Sequence, residues 1–142
     1  MVATRFAVAI HVLLLLACNR DTGKATSQFL AKSVNTNPVV VRRITGQLAR
    51  AGLIRVRRGP GGAELARPAN EISLGDVWRA MNPGGSRPLL PVHAAPSAQC
   101  PVGREVHSVL RGAFVAAEEA MHQALCRTTL ASLVEGVVKE PA

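Results

Sequence analysis

Apolar residues recur at the three- and four-residue spacing of helices along most of the chain, separated by short polar, glycine- and proline-containing stretches. The pattern predicts helices over residues 4–18, 27–33, 38–51, 73–81, 101–126 and 128–138. Thr26, Ser73 and Thr128 are the predicted N-caps, because a hydroxyl oxygen can accept a hydrogen bond from a backbone N–H of the first turn. Pro38 and Pro101 fit the first helical position, where the missing N–H is harmless.

Between the third and fourth predicted helices the pattern changes to that of a hairpin. Residues 53–56 are predicted to form a strand, residues 57–62 a glycine-rich turn and residues 63–66 the return strand. Three helices followed by a hairpin is the order of a winged helix-turn-helix. Residues 82–99 contain four prolines and are predicted to form an irregular connection to the long helix.

The first helix has a second interpretation. Residues 15–18, with the sequence LLAC, have the form of a bacterial lipoprotein cleavage site, which would make the chain an exported, lipidated protein. His11 interrupts the apolar run, and Arg5 is the one charged side chain before it. In a winged helix-turn-helix this helix packs beneath the other two. We therefore interpret it as core, and the exported lipoprotein is the less favoured alternative.

Basic residues are concentrated in the first half of the chain, which has a net charge of +8. Residues 1–67 contain eleven Lys and Arg against two acids, whereas the remainder contains six basic and seven acidic residues. Seven arginines lie between Arg42 and Arg67, and Glu64 is the one acid among them. This predicts a polyanion-binding module, and arginine suits DNA because its planar fork grips phosphate or guanine edges. A solvated basic face or binding to membrane headgroups are the alternatives, and no apolar run reaches the roughly 20 residues of a spanning helix.

Several segments carry a resemblance to a known family. They are NPVVVRR at residues 37–43, LARAGLI at 48–54, GPGG at 59–62 and LAR at 65–67. These segments resemble the bacterial Rrf2 family of transcription regulators, which includes the IscR, NsrR and CymR repressors. His93, Pro96 and the sequence CPVG at residues 100–103 look closer to the YwnA-like branch. The resemblance covers nearly the whole chain, with the motifs in order.

The resemblance implies a mainly α fold with a small β-hairpin (α+β), a winged helix-turn-helix with a long C-terminal dimerisation helix. Residues 1–81 would form the DNA-binding domain, residues 82–100 a connecting loop and residues 101–142 a helical dimerisation arm. The second helix of the pair would lie in the major groove, with the hairpin against the backbone or minor groove. The expected DNA contacts are Thr26, Ser27, Asn37, Val39, Val40, Arg42, Arg43, Arg57, Arg58 and Gly59.

The long predicted helix carries an alanine-rich apolar stripe. Its members are Val106, Leu110, Ala113, Ala117, Ala120 or Met121, and Ala124. Packing within the chain is one explanation of such a stripe, whereas the resemblance favours a two-fold homodimer contact. Two recognition helices about one DNA turn apart then predict an inverted-repeat operator in double-stranded DNA.

Cys100 is the candidate sensor residue, with His93 nearby in the connection. Immediately before Pro101 its thiol would lie at a helix N-terminus, which favours thiolate and reaction with oxidants or electrophiles. A partly buried thiol that only packs or caps is an equal alternative. Iron–sulfur members of the family use three cysteines in this connection, but residues 82–104 contain Cys100 alone, so we predict no cofactor. A mixed metal site of His93, Cys100 and His107 is less favoured than surface or packing roles for the histidines.

The other cysteines are assigned no function from the sequence. Cys18 is predicted to be buried on the apolar side of the first helix, and Cys126 to mark a helix end. A bond between Cys126 and Cys100 is left open, because its geometry cannot be judged from the sequence.

Catalytic groups are not apparent. No Ser, Cys or His stands in a recognised nucleophile motif, and the acids form no clustered pair. The odd number of widely spaced cysteines favours a reducing compartment. We therefore predict a non-enzymatic, cytoplasmic, homodimeric DNA-binding regulator, most simply a repressor, with no membrane partner. The alternative is a thiol- or metal-based sensor without direct DNA binding.

Overall fold

The computed structural model describes residues 2–18, 25–57, 62–85 and 88–139. Within these residues the chain forms six α-helices and one two-stranded antiparallel sheet. The helices are α1 (Val2–Cys18), α2 (Ser27–Val34), α3 (Pro38–Arg50), α4 (Leu74–Met81), α5 (Pro101–Cys126) and α6 (Leu130–Lys139). The strands are β1 (Ile54–Val56) and β2 (Ala63–Leu65). The mainly α fold with a small hairpin that the sequence predicts is confirmed.

α1 lies in the core. One face of this helix buries Ala9, Val12, Leu13 and Leu16. Other helices and the hairpin surround them with Leu30, Val41, Ile44, Leu48, Leu53, Ile54, Ile72, Val77, Met81 and Leu130. Packing therefore accounts for the apolar run of α1, as the core interpretation predicts. No helix in the described residues, α1 included, has the length and apolarity needed to cross a membrane.

Side-chain caps fix where α4 and α6 begin. Ser73 and Asp76 form a capping box at α4, in which each side chain accepts from the other residue's backbone N–H, at 3.1 and 3.0 Å. The predicted cap Thr128 is wrong by one residue. The N–H of Ser132 donates to the hydroxyl of Thr129 at 3.2 Å, so Thr129 caps α6.

The hairpin is held to the core at its base. Its cross-strand pairs are Ile54 with Leu65, Arg55 with Glu64 and Val56 with Ala63. Ile54 and Ala63 are buried, which places one side of each strand against the core. The N–H of Ala63 also donates to the carbonyl of Ala25 at 3.0 Å, and this bond ties the hairpin to the start of the helix-turn-helix.

The last helix returns to the first. Leu130, at the start of α6, is fully buried, and its N–H donates to the carbonyl of Ile72 at 2.8 Å. Ser73 and Thr129 form an antiparallel bridge beside it. α6 packs against α1 and against the 3-10 turn Ala69–Glu71. Part of the predicted arm therefore shares the core of the helix-turn-helix, and the division of the chain near residues 81 and 101 stays a prediction.

Candidate nucleic-acid interface

The turn between α2 and α3 sets the direction of α3. Asn35 adopts the left-handed conformation (φ 64°), and its N–H donates to the carbonyl of Ala31. Asparagine tolerates this conformation better than most residues. Asn37 then caps α3, since its side-chain oxygen accepts from the N–H of Val39 at 2.8 Å, and Pro38 occupies the first helical position. The two helices form the expected helix-turn-helix pair.

α3 has one buried and one exposed face. The buried face consists of Val41, Ile44, Thr45 and Leu48. On the other side, Val39 and Val40 are 50% and 37% exposed, and Arg42 and Arg43 are exposed with them. Among the described residues, no acid pairs with Arg42 or Arg43. The start of α3 therefore presents two apolar side chains, Val39 and Val40, and two guanidinium groups without acidic partners to solvent.

The start of α2 is partly used for capping. Thr26 is half-buried, and its hydroxyl accepts from the N–H of Phe29 at 3.2 Å. Ser27 is also half-buried, whereas the side chain of Phe29 is 42% exposed. Phe29 is not among the DNA contacts that the sequence predicts. The sequence does not single out Phe29 by spacing alone, since Ala31, the other neighbour of Leu30, is buried.

The hairpin supplies fewer free charges than the sequence predicts. Arg57 donates to both carboxylate oxygens of Glu64, at 3.2 and 3.3 Å. Arg55 lies 3.8 Å from the same carboxylate. Both arginines are exposed, so this pairing is weak and can exchange for another anion. The predicted contacts Arg58 and Gly59 lie outside the described residues.

A second charged cluster lies on α4 and was not predicted. Asp76 pairs with Arg79 and, at 3.8 Å, with Arg67. Burial alone would raise the pKa of Asp76. The hydrogen bonds from the backbone and hydroxyl of Ser73, together with the charges of Arg67 and Arg79, lower it by more, so the pKa lies below its usual value. Arg79 also reaches α5, where its Nη1 lies 3.1 Å from Nε2 of His122.

The three cysteines are free and exposed. Cys100 is the N-cap residue of α5, as its sequence position predicts, but its side chain makes no capping hydrogen bond. The predicted burial of Cys18 is wrong, because Leu16 is the last buried residue of α1. Cys100 and Cys126 lie at opposite ends of the 26-residue α5, about 39 Å apart at 1.5 Å per residue, which excludes a disulfide between them within one chain. The sensor role of Cys100 stays a prediction.

His93 and His107 approach each other without forming a metal site. Their rings meet edge to face with centroids 5.4 Å apart, and Nε2 of His107 donates to the carbonyl of His93 at 2.6 Å. This bond occupies one of the two ring nitrogens of His107. In the part of the chain that the structure describes, no three His, Cys, Asp or Glu side chains are grouped to hold one metal ion. These residues therefore do not fit a metal centre.

Within the described residues, much of the apolar face of α5 is exposed to solvent. None of its 26 residues is buried. Of the predicted stripe, Val106, Leu110 and Met121 are half-buried, whereas the alanines are exposed: Ala113, Ala117, Ala120 and Ala124. Val102 and Val109 are 71% and 70% exposed, and their seven-residue spacing places them in line with these alanines.

Comparison with known proteins gives one consistent family. The sequence matches the profile of the Rrf2 family, described as an iron-dependent transcriptional regulator, over residues 2–136. YwnA of Bacillus subtilis, assigned as an HTH-type transcriptional regulator, is 38% identical over 130 residues, covering 92% of this chain and 94% of YwnA.

Solved structures agree with this match. A protein from Lactobacillus plantarum, assigned as a transcriptional regulator, superposes with a TM-score of 0.79 at 26% identity, covering 96% of this chain and 91% of that chain. CymR of Staphylococcus aureus gives a TM-score of 0.66 at 28% identity, and the match covers 93% of this chain and 96% of the CymR chain. CymR has also been solved in an oxidised form.

Proposed function

The chain belongs to the Rrf2 family of transcriptional regulators, and we propose from this premise that it is a homodimeric repressor of an inverted-repeat operator. DNA binding and regulation follow from the family and from the related regulators. Repression, the two-fold dimer and the operator symmetry are the finer parts of the proposal. We assign the chain no catalytic step and place its work in the cytoplasm, where its DNA target would lie.

The observation that carries the proposal is the exposed start of α3. Arg42 and Arg43 are free of acidic partners in the described residues, so they are available to phosphate oxygens or guanine edges. Val39 and Val40 are exposed beside them and can contact thymine methyl groups. Arg57 can exchange its exposed pairing with Glu64 for a phosphate.

A second copy of the chain is the proposed partner of α5. Its alanine-rich stripe permits close approach of another helix, and Val102 and Val109 add large exposed apolar side chains on the same line. An isologous contact would bring this face against itself. It would also hold two copies of α3 on one side of the dimer, which is the geometry an inverted repeat requires.

The test begins with sequencing of genomic DNA recovered with the protein. Affinity for the operator found is then measured by fluorescence anisotropy from about 50 to about 200 mM salt, where counterion release should weaken binding steeply. Arg43→Ala is expected to weaken binding about tenfold to a hundredfold and to relax the sequence preference. Arg57→Ala should weaken binding to all DNA sequences alike and reduce the slope of log affinity against log salt concentration by about one.

Arg127→Ala is the matched control, because it removes an exposed arginine at the end of α5. Its affinity for the operator should stay close to that of the unaltered protein. If Arg43→Ala binds as tightly as Arg127→Ala, α3 is not the DNA-reading helix.

A thiol-reactive signal at Cys100 is part of the proposal. Its support is the exposed position of Cys100 at the start of α5 and the existence of an oxidised form of the related CymR. Cys100→Ser should bind the operator in reducing buffer and lose any response that depends on this thiol. The family description names iron, but the described donors do not fit an iron site, so we assign no step to iron.

A further inference from the structure

A concave pocket lies where the end of α3, the base of the hairpin and α4 meet. Its volume is about 390 Å³, within the range of roughly 300–1,000 Å³ that small-molecule sites occupy in proteins. The apolar part of its lining consists of Ala51, Leu53, Ala80 and Pro83. Leu53 and Ala80 are buried, so the pocket has a firm apolar wall that belongs to the core.

The polar part of the lining carries an excess of positive charge. Three guanidinium groups, those of Arg50, Arg67 and Arg79, line the pocket together with one carboxylate, that of Asp76. Within the described residues, Arg50 forms no ion pair with an acid. Two positive charges of the lining are therefore left without a counter-charge.

These charged groups can donate hydrogen bonds but have little capacity left to accept them. Oδ2 of Asp76 accepts from the backbone N–H of Ser73 at 3.0 Å, and Oδ1 accepts from Arg79. Arg67 lies 3.8 Å from Oδ2, which is longer than a hydrogen bond, so this ion pair does not consume its N–H groups. A ligand in the pocket must therefore supply acceptors and negative charge.

The C-terminal end of α3 does not oppose such a ligand. A helix normally repels anions at this end through its unsatisfied carbonyls. Here the carbonyls of Gln47, Leu48 and Ala49 accept from backbone N–H groups just after the helix, at 3.1, 3.0 and 3.0 Å. The side-chain oxygen of Gln47 accepts from Arg5, which leaves its amide group as a donor.

The pocket is separate from the surface proposed to read DNA. Arg50 is the last residue of α3 and lies about 18 Å along the helix axis from Pro38, at 1.5 Å per residue. Arg79 extends from the pocket to α5, where its Nη1 lies 3.1 Å from Nε2 of His122. The contact between α4 and α5 therefore borders the pocket, whereas the predicted DNA contacts are not part of its lining.

We propose that this pocket binds a small organic phosphate monoester. A phosphate monoester carries a charge of about −2 near neutral pH and has three acceptor oxygens, which matches the two uncompensated charges and the donors of the lining. The planar forks of Arg50 and Arg67 hold the phosphate oxygens, and the organic part lies on Leu53 and Ala80. A DNA phosphate carries one charge and suits the pocket less well. The site does not depend on the proposed function.

The test titrates the isotope-labelled full chain with phenyl phosphate and follows backbone amide and arginine side-chain signals by NMR. We expect saturable shifts at Arg50, Arg67 and Ala80, with a dissociation constant of about 1 mM or lower. Benzyl alcohol lacks the charge and inorganic phosphate lacks the ring, so each should bind at least about tenfold more weakly. The absence of saturable shifts up to about 10 mM phenyl phosphate would overturn the proposal.

The two comparison ligands also decide the ligand class. If benzyl alcohol binds as tightly as phenyl phosphate, the guanidinium groups are not what holds the ligand, and the proposal is wrong. If inorganic phosphate binds as tightly, the apolar wall contributes nothing, and the assignment of an organic ligand is wrong.

Arg50→Ala removes an exposed guanidinium and should weaken phenyl phosphate at least about tenfold. The matched control Arg127→Ala should bind phenyl phosphate like the unaltered protein, because Arg127 is not part of the pocket. Equal affinities of these two variants would place the site elsewhere. Ala51→Glu is a second variant at an exposed position of the lining, and its carboxylate should compete with the ligand for the guanidinium groups. It decides the matter if circular dichroism shows that Arg50→Ala does not fold.

DNA is the competing occupant of these arginines. Operator duplex added to the phenyl phosphate complex should leave phenyl phosphate bound, because the pocket lies away from the exposed start of α3. Release of phenyl phosphate by an equimolar amount of duplex would contradict the proposal and assign the pocket to DNA. This experiment alone rests on the proposed function. If the protein binds no DNA, the proposed function fails, and the titration still decides the pocket.

Discussion

Replacing Gly75 with alanine tests the contact between α4 and α5 directly. Gly75 is buried in the first turn of α4, and an added Cβ would overlap the sulfur of Cys126 and lie 3.2 and 3.3 Å from its Cα and Cβ. The sulfur can rotate away, but the Cα belongs to the backbone at the end of α5. The end of that helix must therefore shift to admit the methyl group. Gly136 in α6 is the matched control, because a Cβ there would meet nothing within 4 Å.

Both substitutions gain the higher helix propensity of alanine, but only Gly75→Ala also introduces a steric overlap. Alanine is preferred over glycine inside a helix by up to about 1 kcal/mol, so Gly136→Ala should stabilise the protein by that amount or less. Overpacking of a close contact costs about 1–3 kcal/mol, so Gly75→Ala should be net destabilising by about 1 kcal/mol. The difference between the variants, about 1–3 kcal/mol, isolates the collision.

Urea unfolding followed by tryptophan fluorescence measures this difference. Trp78 is the one tryptophan of the chain, lies in α4, and packs edge to face on Phe6 with centroids 5.1 Å apart. Protein concentration is kept equal, since the proposed dimerisation would contribute to apparent stability. Adding Cys126→Ala to the Gly75 variant should restore part of the loss. Equal stabilisation by the two alanine substitutions would refute the packing of α5 on α4 described above.

Other expected outcomes concern pH, dimerisation and DNA. Because the pKa of Asp76 is lowered in the fold, its stabilisation is complete above the unfolded pKa of about 3.9 and is lost as pH falls through the lower folded value. Asp76→Asn should therefore flatten the dependence of the urea midpoint on pH below about pH 4. Ala117→Glu should dissociate the proposed dimer in sedimentation, because the substitution would bury an unpaired charge in the contact. Ser108→Glu, an exposed control outside the stripe, should leave the dimer intact. If the two variants have the same mass in solution, the interface lies elsewhere. Phe29→Ala should weaken operator binding about tenfold without loss of stability, and Gln28→Ala should do less; equal affinities would remove Phe29 from the interface.

Elements with strong local signals could be predicted from the sequence. α5 begins at Pro101 and ends at Cys126 as predicted, because proline fits the first helical position and the apolar spacing continues to that end. Asn37 and Pro38 likewise fix the start of α3. The prediction of Thr128 as the last cap is wrong because two threonines are adjacent, and only the backbone bridge between Ser73 and Thr129 selects one of them.

Side-chain clusters that depend on tertiary packing could not be predicted. Arg79 and His122 are 43 residues apart, and neither belongs to a recognisable motif. They meet only because α4 packs against α5. Glu64 shows the same limitation, since the sequence places it among arginines but does not show that Arg55 and Arg57 share its carboxylate.

The anchoring of α5 at one end makes it a lever. Cys126 packs against Gly75 of α4, and Leu130, four residues later, is buried. The C-terminal end of α5 is therefore fixed to the core. From that pivot the helix extends about 39 Å at 1.5 Å per residue. A rotation of about 10° at the pivot moves the far end by about 7 Å, roughly two base-pair steps of about 3.4 Å. In a dimer joined along this helix, a rotation of about 10° beside Cys126 would thus be enough to put the two heads out of register with their half-sites.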